Sequence, residues 1–172
     1  MLVTETERLF IRELDTVIDA EFIFLLLNSP KFIQYIGDRG VRSVEQASEF
    51  IENRYRQSYR DHGFGLYAVE LKTDKTKVGL CGFVKRDHLE FPDIGFAFLP
   101  DHERKGYGFE SAVAVIKYGR AMLGLTRILA ITSPDNYASG NLLEKLGFTF
   151  DSLNDSGGDV VKLFFSGDVE RR

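Results

Sequence analysis

The 172-residue sequence has no tryptophan, a single cysteine, three histidines and four prolines. The single cysteine, Cys81, excludes an internal disulfide, and its apolar neighbours favour a buried thiol that only packs. The longest apolar run, residues 22–27, is too short to span a bilayer, and no basic-plus-apolar leader opens the sequence. We therefore expect a cytoplasmic protein with no membrane partner.

The few histidines give no sign of a metal site. His62, His88 and His102 stand singly in polar loops, where exposed side chains are expected, and none is spaced with Cys81 as a metal ligand would be. The formal net charge of −4 argues against a nucleic-acid partner and suits a cationic or amine ligand. Walker A, dinucleotide-binding and Gly-x-Ser-x-Gly motifs are all missing.

The apolar patterns that are present predict one α/β domain over residues 1–172. Strands are predicted at residues 8–14, 64–71, 78–84, 94–99, 127–132, 148–153 and 160–165. Helices are predicted at 17–27, with a short extra turn at 32–36, at 43–59, from the glycine turn near residue 108 to Gly124, and at 139–146. A right-handed crossover makes 94–99 and 127–132 parallel neighbours in a mixed, mostly antiparallel sheet of about seven strands with about four helices.

Residues 93–124 combine a strand, a glycine-bearing turn and a long helix. Gly106 and Gly108 lie where the helix begins, so backbone N–H groups can point outward without a nearby Cβ. The first N–H groups of a helix have no internal partner and lie at the positive end of its dipole. The turn therefore suits a phosphate group. The alternative is that the two glycines only form a tight turn.

A second block, residues 136–148, reads Asn-Tyr-Ala-Ser-Gly-Asn-Leu-Leu-Glu-Lys-Leu-Gly-Phe. Taken alone, it is a short helix capped by Ser139 and ended by Gly147. Together with the glycine turn, it resembles the GNAT N-acetyltransferase superfamily: residues 93–108 are similar to the coenzyme-A-binding motif, and residues 136–148 to the second motif. The opening, residues 4–12, resembles the RimJ/RimL-type subgroup, which acetylates the N-termini of ribosomal proteins. The resemblance covers nearly the whole chain.

The resemblance implies a twisted sheet that splays between its fourth and fifth strands, 94–99 and 127–132, with acetyl-CoA in the resulting V. It implies pyrophosphate binding by the backbone of six successive residues, which are Arg104, Lys105, Gly106, Tyr107, Gly108 and Phe109. A backbone N–H near Phe98 or Leu99 would polarise the thioester carbonyl. Asn136, Ser139 and Asn141 would face the cofactor channel.

Two residues depart from the family pattern. Glu103 stands where many members have Gln or Arg, and a carboxylate beside a pyrophosphate is unfavourable unless it points away. Leu143 stands where many members have the tyrosine that reprotonates the leaving thiolate. Ser139 is the predicted substitute as hydrogen-bond donor to the thiolate, and Tyr137 is the next choice. The alternative for Ser139 is a helix cap and a cofactor contact only.

The family reaction is direct attack of a neutral amine on the thioester. Asp93 is the predicted base, acting through a water, and Glu13 is a weaker candidate. The alternative for Asp93 is a charge at a loop end with no catalytic role. An α-amino group, with a pKa near about 8, is neutral far more often at pH 7.4 than lysine, with a pKa of about 10.4. A protein or peptide N-terminus is therefore the first expected acceptor.

Other functions stay open. The acceptor could be a small amine such as a polyamine, an amino acid or an aminoglycoside, and the chain could instead be a non-catalytic acyl-CoA-binding module. The acceptor groove is predicted to be built by the first two helices, the loop between them (residues 28–42) and the last hairpin. Phe32, Tyr35 and Ile36 would line it or belong to the core. A monomer and a homodimer are equally compatible with the sequence.

Overall fold

A single mixed sheet of eight strands organises the computed structural model, which describes residues 1–156 and 158–166. The strands are β1 (Leu2–Glu5), β2 (Leu9–Arg12), β3 (Leu66–Leu71), β4 (Lys77–Val84), β5 (Asp93–Phe98), β6 (Leu129–Thr132), β7 (Phe148–Ser156) and β8 (Asp159–Ser166). Their order across the sheet is β1-β2-β3-β4-β5-β6-β8-β7. All neighbours are antiparallel except β5 and β6, which confirms the predicted parallel pair.

Helices pack on both faces of the sheet. They are α1 (Ala20–Leu27), α2 (Pro30–Tyr35), α3 (Val44–Phe50), α4 (Gln57–His62), α5 (Tyr107–Met122) and α6 (Tyr137–Lys145). A π-helical segment, Ile51–Arg56, joins α3 to α4, and a short 3₁₀ turn, Pro100–His102, precedes α5. The segment predicted as an extra turn at 32–36 is a helix in its own right, α2, which begins at Pro30 because proline is favoured in the first helical turn.

The strand that the sequence did not predict is β1, at the edge of the sheet. Leu2 lies opposite Arg12 of β2, and Glu5 lies opposite Phe10. The side chains of β1 are exposed or half-buried, so the strand lacks the apolar alternation on which a sequence prediction depends. The last hairpin is also longer than predicted, because β7 reaches Ser156 and β8 begins at Asp159. Gly157 of the predicted loop, and the tail at 170–172, lie outside the described residues.

Two apolar clusters fill the two faces of the sheet. Successive strand residues point to opposite faces, so Tyr67 and Val69 pack with α5 while Ala68, between them, packs with α1 and α3. Cys81 belongs to the first cluster and is fully buried, as predicted. Burial raises the pKa of its thiol to about 12. No helix in residues 1–156 and 158–166 has the length and hydropathy needed to cross a bilayer.

A buried ion cluster fixes the start of α1 against the sheet. The side chain of Asp19 is completely buried, and its two oxygens accept hydrogen bonds from Arg12 at 2.8 and 2.9 Å. Arg12 also donates to Glu70 on β3, at 2.8 Å, and Lys77 on β4 lies 3.4 Å from Asp19. The backbone N–H of Asp15 adds a fourth contact to Asp19, at 2.7 Å. Asp19 therefore connects the start of α1 to β2 and β4, and Arg12 extends the cluster to β3. The helix begins at Ala20 rather than at the predicted residue 17.

Candidate active site

The parallel strands β5 and β6 pair at one end only. The register between them is the single pair Asp93–Leu129, and the Leu129 N–H donates to the carbonyl of Pro92 at 2.9 Å. A cavity of about 930 Å³ lies beyond this pair and is lined by residues of both strands. The other walls come from α2, the π-helical segment and the N-terminal ends of α5 and α6. The separation of these two strands is the splay that the family resemblance implies.

The backbone of β5 presents Phe98, but not Leu99, to this cavity. The Leu99 N–H donates to the carbonyl of Val78 on β4 at 2.9 Å, and Leu99 does not line the cavity. Hydrogen-bonding directions alternate along an antiparallel strand, so Phe98, which lies opposite Gly79, directs its N–H away from β4 and towards the cavity. Of the two predicted donors, Phe98 is available to a ligand and Leu99 is already occupied.

The turn before α5 has the geometry of an anion-binding loop. Arg104 and Gly106 both have left-handed backbone conformations, with φ of 59° and 82°, and Gly106 is the N-cap of the 16-residue α5. A positive φ is strained for most residues and is readily adopted by glycine, which explains Gly106. The N–H groups of Tyr107 and Gly108 open the helix, where an α-helix supplies no internal acceptor.

Most of the predicted cofactor residues at this turn reach the cavity. Arg104, Gly106, Tyr107 and Gly108 line it, but two others do not. The carbonyl of Lys105 accepts a hydrogen bond from Arg8 on the outer side of the turn. Phe109 lies on the outer face of α5, where the ammonium of Lys145 is 4.4 Å from its ring.

Glu103 is neutralised by a partner that the sequence did not suggest. Its carboxylate lies 2.6 Å from the ammonium of Lys31 on α2. The ion pair removes the repulsion that an acidic side chain would exert on a phosphate group, and it ties α2 to the turn. At the other end of α2, the hydroxyl of Ser133 donates to the carbonyl of Tyr35 at 3.1 Å. The helix α2 is therefore held between the glycine turn and the end of β6.

At the start of α6, Asn136 is the N-cap, so the prediction that Ser139 caps this helix is wrong. The side-chain oxygen of Asn136 accepts the Ser139 N–H at 3.3 Å, and the helix begins at Tyr137. The helix begins earlier than predicted because Asn136 supplies the capping oxygen three residues before Ser139, which therefore lies inside the first helical turn. The hydroxyl of Ser139 has no hydrogen-bond partner in residues 1–156 and 158–166, and Ser139 lines the cavity, as does Asn136.

The remaining α6 residues that the sequence singled out differ in exposure and in whether they line the cavity. Tyr137 lines the cavity but is 71% exposed, and the ammonium of Lys162 lies 5.7 Å from its ring. Asn141 is exposed on α6 and is not a cavity residue. Leu143 is 1% exposed and forms part of both the core and the cavity wall. An apolar side chain therefore fills the position of the family tyrosine.

Asp93 is buried at the closed end of the cavity. Its side chain is 1% exposed and accepts a hydrogen bond from Arg86 at 2.9 Å. Burial raises the pKa of this carboxyl, although the neighbouring charge of Arg86 opposes the shift. Asp93 is thus less acidic than an exposed carboxyl, and it lines the cavity, which a catalytic base requires. The ion pair with Arg86 also fits a purely structural role for Asp93. Glu13, the weaker candidate, does not line the cavity.

Comparison with known proteins supplies the family. The family model described as "Acetyltransferase (GNAT) domain" matches residues 8–149. The uncharacterized N-acetyltransferase YoaA of Bacillus subtilis (strain 168) is 34% identical over 148 residues, which is 85% of this chain and 82% of that protein. This chain belongs to the GNAT acetyltransferase family. The predicted family and enzyme class, an N-acetyltransferase, are therefore confirmed.

Other GNAT proteins are similar over part of the chain or in fold alone. The uS5-alanine N-acetyltransferase of Escherichia coli (strain K12) is 32% identical over 87 residues, 49% of this chain and 43% of that protein. A GNAT acetyltransferase structure from Bacillus anthracis has a TM-score of 0.75 at 27% identity and covers 96% of each chain. RimL with coenzyme A has a TM-score of 0.80 at 16% identity, covering 98% of both chains. Spermidine N-acetyltransferase from Vibrio cholerae with CoA and spermine has a TM-score of 0.75 at 20% identity, over 93% of this chain and 95% of that one.

Several cavity residues of this GNAT chain were not predicted from sequence. Thr132, at the end of β6, is 9% exposed, and its hydroxyl has no partner among the described residues. The one sequence feature that could have indicated Thr132 as a cavity residue is that it is a polar residue at the end of an apolar strand. The side chain of His102, predicted to be exposed, is half-buried beside the cavity, and its Nδ1 atom is buried. Arg86 and Lys31 could not be predicted, because their acidic partners are set by the packing of distant segments.

One wall of the cavity, where the acceptor groove was predicted, is formed by α2 and the π-helical segment. Phe32, Tyr35 and Ile36 all line it, as predicted, and Phe32 is also part of the core. Asn53, Arg54 and Tyr55 of the π-helical segment also line it. No described residue of the last hairpin lines the cavity, and the contribution of this hairpin to the groove stays a prediction.

The local charge of the cavity differs in sign from the net charge of the chain. The cationic side chains that line it are Lys31, Arg39, Arg54, Lys85, Arg86 and Arg104, and the acidic ones are Asp61, Asp93, Glu103 and Asp135. Two ion pairs, Lys31–Glu103 and Arg86–Asp93, neutralise two of each. More cationic than acidic groups remain among the described lining residues. The net charge of −4 therefore does not indicate the preferred ligand.

No group of three His, Cys, Asp or Glu side chains suited to a metal ion occurs in the described part of the chain.

Proposed function

We propose that this GNAT protein transfers the acetyl group of acetyl-CoA to a primary amine, and that the first-choice acceptor is the N-terminal α-amine of a protein or peptide. One observation carries the proposal. The gap between β5 and β6 opens directly onto the left-handed turn at the start of α5. The cavity thus joins a phosphate-binding helix end to a strand with free backbone groups.

The residues at the turn fit acetyl-CoA. The N–H groups of Gly106, Tyr107 and Gly108 would receive the pyrophosphate, with Arg104 as the cationic support. The predicted roles of Lys105, Phe109 and Asn141 require parts of the cofactor that extend outside the cavity. RimL and the Vibrio cholerae spermidine N-acetyltransferase are described in complexes with CoA, which supports a CoA site in this fold.

When bound, acetyl-CoA supplies an activated acetyl thioester. The Phe98 N–H is the donor placed to stabilise the carbonyl oxygen as negative charge develops on it. Attack by a neutral amine forms a C–N bond and breaks the C–S bond; the amine loses one proton and the departing sulfur gains one. We assign proton acceptance to Asp93 through a water, and donation towards the sulfur to the Ser139 hydroxyl. Tyr137 is the second choice as donor because it is largely exposed.

An N-terminal amine suits these residues better than a polyamine. With few unpaired carboxylates at the cavity, a polycation meets net repulsion. An α-amine is also neutral more often than a lysine side chain, so a base acting through a water is sufficient. The partial similarity to the uS5-alanine enzyme supports the same choice. A polyamine, an amino acid or an aminoglycoside is the second choice of acceptor.

The acceptor can be identified by CoA release from acetyl-CoA with a panel of amines. The panel contains peptides with free N-terminal Ala or Ser, the same peptides blocked at the N-terminus but containing lysine, spermidine, free amino acids and an aminoglycoside. Turnover with free but not blocked peptides supports the proposal. Faster turnover with spermidine moves the assignment to small amines. Tight CoA binding without turnover of any amine favours a non-catalytic acyl-CoA-binding module, for which Leu143 is the one supporting residue.

Replacing Ser139 with alanine tests the proposed proton donor. We expect kcat to fall about 10²-fold or more while the Kd for CoA changes less than about threefold, because donation to the sulfur matters only as the C–S bond breaks. Stopped-flow turnover and calorimetry measure the two quantities. Equal losses in kcat and CoA affinity would identify Ser139 as a cofactor contact only. Tyr137→Phe is the matched control, and it should have little effect.

Replacing Asp93 with asparagine tests the proposed base. The pKa of Asp93 is raised in the folded chain, so the wild-type kcat/KM should rise with pH through a value above the usual carboxyl range of about 4. The variant should lose this acid limb and about 10²-fold or more in rate, because asparagine accepts no proton. A pH profile from 4.5 to 9 measures both. An unchanged acid limb in Asp93→Asn would refute the base.

The same raised pKa has a separate effect on stability. Neutral Asp93 is favoured by the fold, so its contribution to stability is complete below the unfolded-state pKa of about 3.9 and is lost as pH rises through the folded-state value. The free energy of unfolding, measured from below pH about 3.9 upwards, gives this effect on stability separately from the effect of Asp93 on catalysis.

A further inference from the structure

The turn between β1 and β2 reaches across to α5. The turn is closed by the Thr6 N–H, which donates to the carbonyl of Leu9 at 2.9 Å, and by the Leu9 N–H, which donates to the Thr6 hydroxyl at 3.0 Å. The Thr6 hydroxyl in turn donates to Glu110, in the first turn of α5, at 2.6 Å. This places Arg8, two residues after Thr6, next to the N-terminus of α5.

Glu110 serves as the anchor for Arg8. Its carboxylate accepts hydrogen bonds from the Arg8 backbone N–H at 3.1 Å and from Arg8 Nε at 2.7 Å, and Arg8 Nη2 lies 2.6 Å away. Partial burial alone would raise the pKa of Glu110, but the hydrogen bonds from Thr6 and Arg8 lower it. Glu110 does not line the cavity, so its carboxylate interacts with Arg8 and does not face a ligand in the cavity.

The guanidinium of Arg8 contacts Lys105 and Tyr107 of the glycine turn and lies beside Gly106, which is between them. Its Nη1 donates to the carbonyl of Lys105 at 3.0 Å. Its central carbon lies 4.6 Å from the ring centre of Tyr107. A Cβ added to Gly106 would lie 3.2 Å from Nη2, so glycine at this position also leaves room for Arg8. Arg8 therefore fits against the turn on the side opposite the cavity.

The contact with Lys105 fixes the direction of the next N–H group. In a planar trans peptide, the carbonyl of one residue and the N–H of the following residue point in opposite directions. Because the Lys105 carbonyl points outward to Arg8, the Gly106 N–H points inward, and Gly106 lines the cavity. Without Arg8, glycine would allow this peptide to rotate at little steric cost.

We infer that Arg8 is a positioning residue, which holds the Lys105–Gly106 peptide so that the Gly106 N–H is preset to bind a phosphate of the cofactor. The inference rests on the proposed acetyl-CoA site. It gives a physical role to Arg8, which lies in the opening segment, residues 4–12. In the sequence, that segment indicated only a resemblance to the RimJ/RimL-type subgroup. Arg8 itself does not touch the cavity.

The experiment compares Arg8→Gln and Arg8→Lys with Arg60→Gln, an exposed arginine that pairs with Glu52 far from the turn. Three quantities are measured: the Kd for CoA by calorimetry, kcat/KM for acetyl-CoA, and kcat/KM for S-acetylpantetheine, which has the thioester but no pyrophosphate. For Arg8→Gln we expect the Kd for CoA to rise, and kcat/KM for acetyl-CoA to fall, by about tenfold each, with S-acetylpantetheine unaffected. Arg8→Lys keeps the positive charge but not the planar, several-donor geometry of the guanidinium. We expect its losses in CoA affinity and in kcat/KM for acetyl-CoA to be smaller than those of Arg8→Gln.

Equal losses with both thioesters, or no loss with either, would overturn the inference, because a merely structural role does not discriminate between them. If Arg8→Gln does not fold, the same comparison is made with Arg8→Lys. Failure of the cofactor site is distinguishable. It would show as unchanged CoA affinity in Gly108→Asp, whereas failure of the Arg8 role alone leaves Gly108→Asp impaired and the Arg8 variants normal.

Discussion

Replacing Gly108 with aspartate is expected to raise the Kd for CoA by about 100-fold or more while leaving the fold intact. Gly108 lines the cavity in the first turn of α5, so the new carboxylate would lie among the N–H groups that we propose to bind phosphate. Two like charges about 4 Å apart repel by about 4 kcal/mol at a protein surface. The same carboxylate would favour the helix, because acidic residues are stabilising at a helix N-terminus. Affinity and stability should therefore change in different directions.

Gly108→Asn is the matched control, since asparagine has nearly the same size without the charge. A Cβ at this position would lie 3.3 Å from Leu142 Cδ2 and 3.6 Å from Phe98 Cε2, so a small adjustment of Leu142 accommodates it. We expect asparagine to weaken CoA binding far less than aspartate, and S-acetylpantetheine turnover to be similar in both variants. Calorimetry and thermal unfolding are the measurements. Equal CoA affinity in the two variants would contradict a phosphate site at this turn.

Replacing Asp19 with alanine is expected to destabilise the fold by about 3–5 kcal/mol, the typical cost of breaking a buried ion pair. The side chain of Asp19 is completely buried and makes a two-point contact with Arg12, together with contacts to Lys77 and the Asp15 N–H. Its removal leaves Arg12 half-buried with only part of its hydrogen bonds. For a chain of this size, the Tm should fall by roughly 10 °C or more.

The matched control is Asp38→Ala, which removes an exposed pair between Asp38 and Arg42 four residues apart on the surface. Exposed pairs of this kind contribute little, because water screens both charges, so the Tm should hardly change. Thermal and denaturant unfolding of the two variants give the comparison. Similar Tm values for Asp19→Ala and Asp38→Ala would show that the buried cluster does not stabilise the fold. Because neither Asp19 nor the residues it contacts, Arg12, Lys77 and Asp15, line the cavity, CoA affinity of folded Asp19→Ala should remain close to wild type.

The sequence determined the order of the elements and the two motifs of the proposed cofactor site. Apolar periodicity and glycine positions are local properties, so strands such as β4 and β5 and the start of α5 were predicted to within a few residues. Local patterns missed β1, which lacks apolar alternation, and assigned the α6 cap to Ser139 instead of Asn136. The first error arises where the apolar pattern is weak, and the second where two residues that can cap a helix lie only three positions apart.

The tertiary structure decided which groups meet across the chain. Lys31 with Glu103, Arg86 with Asp93, and Arg8 with both Glu110 and Lys105 join segments whose separation no local pattern encodes. Sheet pairing also decided that Phe98, and not Leu99, directs its N–H into the cavity, because the direction depends on the register with β4. Charges and backbone groups acquire their roles from packing, and packing is a property of the folded chain.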